Sequence, residues 1–258
     1  MVDLVNELEG KVAIVTGSAR NIGQATAEEL ARAGAAVVVN AVQAKDLCEQ
    51  VADGICAAGG RAIPVMADVT DPDAVQAMAE TAVREFAGID ILVCNAANRS
   101  NTSFDDLDWD TWRRTIDISI HGTYHLAKAA VPSMRQRGGG SIVGVGGMSS
   151  LRGSKGRSHV MAAKMGMNAF IRGLALELAQ DNIRANQVVV GKYDTVRENN
   201  PSSASAAQIA AMGPVNIPLG REGEPQDMAN LIRFVVGPAA SYITGQTIHS
   251  NGGAYMNL

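Results

Sequence analysis

Residues 157–164, RSHVMAAK, place Lys164 four positions after Val160 and seven after Arg157. Side chains four apart on a helix project from one face. Positions 160 and 164 therefore share a face, where the lysine can ionise but valine has neither a transferable proton nor a hydrogen-bond donor. Arg157 shares the stripe if the helix begins that early, and a guanidinium there suits a carboxylate or phosphate. The loop SLRGSKGRSH adds Arg152 and Lys155, while Arg99 and Lys192 follow two of the expected strands. Together they read equally well as a rim for an anionic ligand and as a solvated basic loop. His159 titrates near neutral pH. Adjacent helical residues diverge by about 100°, so it faces away from the Val160 position and a structural role is favoured. His121 and His125 stand four apart, a spacing that suits a metal, yet no carboxylate motif joins them. Packing or a subunit contact is the favoured role for that pair.

A second stretch, TGSARNIGQA (Thr16–Ala25), follows a short apolar run and opens a helical pattern. A tight turn feeding a helix presents free backbone N–H groups and the positive end of the helix dipole, which suits a pyrophosphate. A glycine-containing turn alone is weak evidence, so its context matters.

The elements that must position these groups are legible as alternation. Val12–Val15, Ala36–Val39, Ala62–Met66, Ile91–Cys94, Ser141–Val145 and Asn186–Val190 are short, nearly continuous apolar runs. Such runs predict parallel strands covered on both faces. Between them, Ile22–Ala33 sets Ile22, Ala27 and Leu30 on one stripe, and Lys45–Ala58 stops at Gly59–Gly60. Asp71–Phe86 opens with a capping Asp71 and Pro72 at the first helical position. Longer helices are expected over Trp109–Val131 and Ser158–Gln180. This order predicts an α/β fold, a doubly wound parallel sheet of about seven strands with helices on both faces. One domain is expected over residues 1–258. Residues 196–215, rich in Ser, Ala, Asn and Pro, follow a strand's C-terminal end and are expected to form a substrate lid.

Taken together, these segments resemble the short-chain dehydrogenase/reductase family over nearly the whole chain. The family's TGxxxGxG turn is matched by Thr16, Gly17 and Gly23, with Asn21 in place of the middle glycine. Asparagine is the non-glycine residue that best tolerates left-handed backbone, so the departure is mild. Asp68–Val69 resembles the family's adenine-contacting pair, and Cys94-Asn95-Ala96-Ala97 its NNAG segment. Ile183–Thr195 resembles RVNxVxPGxxxT, with Val190 where proline is usual. Ile217–Ala229 and Ile243–Gly253 resemble its C-terminal signatures. The resemblance implies a Rossmann-type nicotinamide-binding domain. Its phosphate turn would be built by Gly17, Arg20, Asn21, Ile22 and Gly23, and its adenosine side by Asn40, Asp68 and Val69. Asn95, Ala96, Lys164, Gly191 and Thr195 would complete the cofactor contacts, Thr195 at the carboxamide. NAD-preferring members carry an acid at the end of the second strand; the matching residue is Ala41. Arg20 matches a position that is often basic in NADP users, although the same residue also reads as a solvated arginine. NADP(H) is therefore expected over NAD(H).

The family's Asn–Ser–Tyr–Lys set maps onto Ser119, Gly147, Val160 and Lys164, pinned by Gly122–Thr123 and Ala162–Lys164. Only the lysine is retained. Positioned acid–base groups contribute about 10²–10⁴-fold, so ordinary carbonyl reduction by the family's route is expected to be impaired. Lys164 has a second family duty, binding the nicotinamide ribose. Arg157 and Ser119 are candidates at the reacting end, and Ser149 or Ser150 leaves a hydroxyl open to replace the missing serine. Two functions follow: an oxidoreductase with altered chemistry, such as reduction of an activated C=C bond, or a non-redox protein on the same fold. The second covers an inactive cofactor binder and a lyase or hydrolase using the same crevice. The substrate is expected to be a small molecule, and the resemblance implies a homo-oligomer, dimer or tetramer, through the two long helices.

Composition agrees with this class. Of 258 residues 47% are hydrophobic, enough for one large core. The net charge of −4, with Lys and Arg spread along the chain apart from the one loop at 150–159, argues against a nucleic-acid partner. MVDLVNELEG lacks the pattern of a secretory leader, and no apolar run reaches about 18 residues, so neither export nor a membrane span is expected. Cys48, Cys56 and Cys94 lack metal-ligand spacing and suit reduced thiols in the cytoplasm.

Overall fold

A computed structural model describes residues 6–195 and 216–256. Its strands are β1 (Val12–Val15), β2 (Ala36–Ala41), β3 (Arg61–Met66), β4 (Ile91–Cys94), β5 (Gly140–Gly147), β6 (Ile183–Val190) and β7 (Thr247–Ser250). They form one parallel sheet in the order β3-β2-β1-β4-β5-β6-β7. The helices are α1 (Asn21–Arg32), α2 (Lys45–Ala57), α3 (Pro72–Phe86), α4 (Trp109–Ile116), α5 (Gly122–Gln136), α6 (Ser149–Arg152), α7 (Ser158–Glu177) and α8 (Pro225–Val236).

Side chains alternate across β1. Ala13 and Val15 join Leu30 of α1 and Ile232 of α8 on one face, while Ile14 joins Leu92, Met134 and Ile171 on the other. The strand order reverses between β1 and β4, which opens a crevice at their C-terminal ends. The expected helix signals hold. Ile22, Ala27 and Leu30 are buried, Gly59 ends α2 at φ +88°, and Asp71 accepts the Asp73 N–H at 2.9 Å.

Three elements differ from the sequence expectation. The seventh strand, β7, lies inside Ile243–Gly253; its residues Thr-Ile-His-Ser carry little apolar signal, and pairing with β6 defines it. Strand β5 runs on past the expected Val145 through Gly146 and Gly147, which have no side chain to show a pattern. A Cβ at Gly144 would stand 3.3 Å from Met167 and Ile171, so glycine there lets α7 close onto the sheet. The helix expected over Trp109–Val131 is divided into α4 and α5 by a π-turn at Asp117–His121, a feature frequent at functional sites. The expected lid at 196–215 lies outside the described residues. Among the described residues no helix is long and apolar enough to cross a membrane.

Candidate active site

After β1 the chain turns through Gly17 at φ +62° and Asn21 at φ +52°. Both are left-handed, so asparagine keeps the backbone shape that a glycine would have provided. A Cβ at Gly23 would collide with the Gly17 carbonyl and stand 2.7 Å from Asn95 Nδ2 and 2.8 Å from Ser18 Cα. Arg20, half-exposed at the N-cap of α1, offers no side-chain cap to the helix.

Two residues expected to touch the cofactor also brace this turn. Asn95 Nδ2 donates to the carbonyls of Thr16 (2.9 Å) and Gly17 (3.0 Å), while Thr16 Oγ1 accepts the N–H groups of Asn95 and Ala96. Asn40 is 1% exposed, and its Nδ2 donates to the carbonyls of Val65 (3.1 Å) and Ala67 (3.0 Å). Ala41, buried, follows it with no carboxylate. Asp68 accepts from Arg114 Nη2 at 2.8 Å and from Thr70 N–H at 2.9 Å. Burial opposes ionisation there, but these bonds and the guanidinium charge hold the carboxyl below its ordinary range. Val69 packs directly against Gly122, where a Cβ would stand 2.8 Å from Val69 Cγ2. Gly191 packs against Asn251, whose Cα lies 2.6 Å from where its Cβ would be.

The other end of the crevice carries buried hydroxyls. Thr195 and Ser119 are 9% and 2% exposed, and among the described residues neither Oγ has a hydrogen-bond partner. Buried donors are seldom left so. A turn that only glycine fits, an uncapped helix N-terminus and an orphaned Thr195 hydroxyl suit a nicotinamide dinucleotide.

Around the reacting end, Lys164 is 6% exposed and its Nζ donates to the Val145 carbonyl at 2.7 Å. Burial, and then the charge of Arg99, lowers its pKa from 10.5 to about 8, so the ammonium persists at pH 7. Beside it burial pushes the Cys94 thiol up to about 12, leaving it protonated. Val160 is buried. At Gly147 a Cβ would meet no heavy atom nearer than Ser149 Oγ at 3.9 Å. Ser150 Oγ turns back to the Gly147 carbonyl at 2.6 Å, which leaves Ser149 as the hydroxyl nearer the vacant serine position. Ser119 lies in the π-turn, its carbonyl accepting Thr123 Oγ1 at 2.7 Å. Arg157 is half-buried and its Nη2 donates to the Arg99 carbonyl at 3.4 Å. Lys192 is paired with Glu222 at 2.6 Å, while Arg99, Arg152 and Lys155 are exposed and Arg157 is half-buried.

His159 lies in the first turn of α7. It is completely buried, with Nε2 2.9 Å from Ser100 Oγ. His121 bonds Asp117 at 2.7 Å, and His125 Nδ1 lies 3.3 Å from the Val69 carbonyl. Sequence reasoning missed Ser100 and Arg114. Each meets its partner across tens of residues of chain, and neither belongs to a local motif.

Lys164→Met tests the buried ammonium. Its folded pKa of about 8 lies below the ordinary 10.5, so the unfolded chain binds an extra proton between those values and stability rises with pH across that window. The variant is expected to lose that rise in denaturant titrations between pH 8 and 10.5. It should also bind NADPH about 10–100-fold more weakly in a fluorescence titration, having lost a charge-assisted donor.

Comparison with known proteins agrees with this geometry. Residues 17–255 match the family model described as enoyl-(acyl carrier protein) reductase. The chain is 36% identical over 250 residues to a 3-oxoacyl-[acyl-carrier-protein] reductase of Synechocystis sp., covering 96% of this chain and 98% of the relative. It is 35% identical over 252 residues to an L-rhamnose 1-dehydrogenase (NAD(P)(+)) of Sphingomonas sp., with coverage of 97% and 98%. Among solved structures, a 7 alpha-hydroxysteroid dehydrogenase complexed with NADH and 7-oxo glycochenodeoxycholic acid superposes with a TM-score of 0.90 at 31% identity, covering all of both chains. A short-chain type dehydrogenase/reductase from Mycobacterium marinum gives 0.86 at 33% identity, covering 98% of each. The chain belongs to the short-chain dehydrogenase/reductase family of oxidoreductases.

Proposed function

We propose that this protein is an NADP(H)-dependent oxidoreductase that reduces an activated C=C bond, such as that of an α,β-unsaturated carbonyl, in preference to a simple ketone. One observation carries the reading: buried Lys164 stands one helical turn after Val160, and position 147 is glycine, so neither 147 nor 160 offers a proton donor. A bound reduced nicotinamide supplies hydride to carbon. Lys164 would hold its ribose, Thr195 its carboxamide, and Val160 an apolar wall that excludes water. When hydride adds to a C=C bond, the balancing proton ends on carbon and comes from solvent, so no phenol is required. Arg99 and Arg157 favour a substrate with an anionic or strongly polarised oxygen group. The test is a panel of enones and ketones with NADPH: turnover of enones without simple ketones is expected. NADPH binding without any turnover would instead favour a non-redox role.

The relatives differ in coenzyme, one being named for NAD(P)(+) and another bound to NADH, so the preference rests on Arg20 and Ala41. Ala41→Asp is expected to weaken NADPH binding about 10–100-fold and to spare NADH, because the new carboxylate opposes a 2′-phosphate. Equal effects on both coenzymes would contradict the preference. A cytoplasmic homo-oligomer completes the proposal. It is supported by exposed Tyr124 on α5 and Met165 on α7, the helices the family resemblance assigns to assembly.

A further inference from the structure

We propose that Ser100, held in place by His159, is the hydrogen-bond donor to the substrate oxygen on which negative charge builds during reduction. The inference rests on the reductase reading above and adds the group that meets the substrate.

Ser100 lies on the loop that leaves the C-terminal end of β4, directly beside the crevice. That loop is tied down on several sides. The Ser100 N–H donates to Asn98 Oδ1 at 3.1 Å, and Asn98 Nδ2 to Thr115 Oγ1 at 3.2 Å. The Thr102 N–H donates to the Gly156 carbonyl at 2.8 Å, which fastens the loop to the entry of α7. The half-buried Ser100 hydroxyl therefore occupies a defined place next to the helix that carries Val160 and Lys164.

The state of His159 decides which way that hydroxyl points. Its Nε2 lies 2.9 Å from Ser100 Oγ, and among the described residues its buried Nδ1 has no partner. A proton on Nδ1 would bury an N–H donor with nothing to accept it. A proton on Nε2 leaves only a lone pair unmet, the less costly and more frequent defect. The imidazole is thus assigned as the Nε2–H tautomer, donating to Ser100 Oγ. Burial, and then the charge of Arg157, keeps the ring neutral at pH 7, so one tautomer persists. With its oxygen accepting from His159, the Ser100 O–H remains to donate to another acceptor, such as a substrate oxygen in the crevice. Arg157 Nη2 sits on the carbonyl of Arg99, the residue just before Ser100, and the charge of Arg99 reaches Lys164. Developing negative charge at this place meets a fixed donor in a positive field.

Ser100 keeps its proton throughout; it is a donor, not an acid. His159 is a positioning residue. Binding of p-nitrophenol to the NADP⁺-loaded protein, read by phenolate absorbance, tests the pair without turnover, because a phenolate carries its charge on a similar oxygen. Ser100→Ala and His159→Leu are expected to weaken phenolate binding about tenfold or more, as loss of a donor to a charged acceptor does. His159→Gln, whose amide N–H can stand in for Nε2–H, should restore it to within about threefold, and all three variants should bind NADPH as the wild type does. Nitrogen-15 NMR of the apoprotein should report the Nε2–H tautomer for His159. An Nδ1–H tautomer, wild-type phenolate affinity in Ser100→Ala, or no phenolate binding by the wild type overturns this proposal and leaves the cofactor reading standing. Failure of the wild type to bind NADPH overturns the reductase reading itself.

Discussion

Val160→Tyr combined with Gly147→Ser is expected to create NADPH-dependent reduction of simple ketones, with a gain of about 10²–10⁴-fold over the wild type. The backbone has room for half of the change, since a Cβ at Gly147 meets nothing nearer than Ser149 Oγ at 3.9 Å. A tyrosine at 160 stands one turn before Lys164, whose ammonium would draw the phenol pKa down from about 10 toward a useful range. Neither single change should suffice, because one supplies the acid and the other the donor that orients the substrate. The measurement is NADPH consumption with a ketone panel, with NADPH affinity and thermal melting as controls. A folded, NADPH-binding double variant that gains nothing would show that positions 147 and 160 do not face the reacting carbon.

Gly23→Ala is expected to weaken NADPH binding by about 100-fold or more, close to complete loss. The added carbon would collide with the Gly17 carbonyl and stand 2.8 Å from Ser18 Cα, and both are backbone, which cannot move aside as a side chain can. The turn would have to open, and its amides would no longer converge on a phosphate. Asn21→Gly serves as the contrast. Glycine adopts φ +52° freely, so binding should stay within about threefold of the wild type. Wild-type NADPH affinity in Gly23→Ala would remove this turn from the cofactor site.

Much of this was legible along the chain. The six apolar runs are strands because a parallel sheet covered on both faces needs continuous hydrophobicity, a local property. The tolerance of left-handed backbone by Asn21 is likewise a property of the residue. Glycines and polar strands were not legible. Gly146 and Gly147 extend β5 through their pairing with Val189 and Val190 of β6, and β7 exists through its pairing with β6. The π-turn at Asp117–His121, with Ile120 packed on Gly166, is likewise set by the neighbouring helix.

The site divides along the same line. By itself the sequence determined the α/β alternation, the glycine-containing turn after the first strand and the residue types at positions 119, 147, 160 and 164, because each depends on residue type and short spacing. Only the tertiary structure decided that Asn40 and Asn95 brace the turn, that Arg114 holds Asp68 and that His159 meets Ser100. Those partners are far apart in the chain. Their hydrogen bonds form only when the sheet order and the approach of α4 and α7 bring them together, and no local pattern encodes that approach.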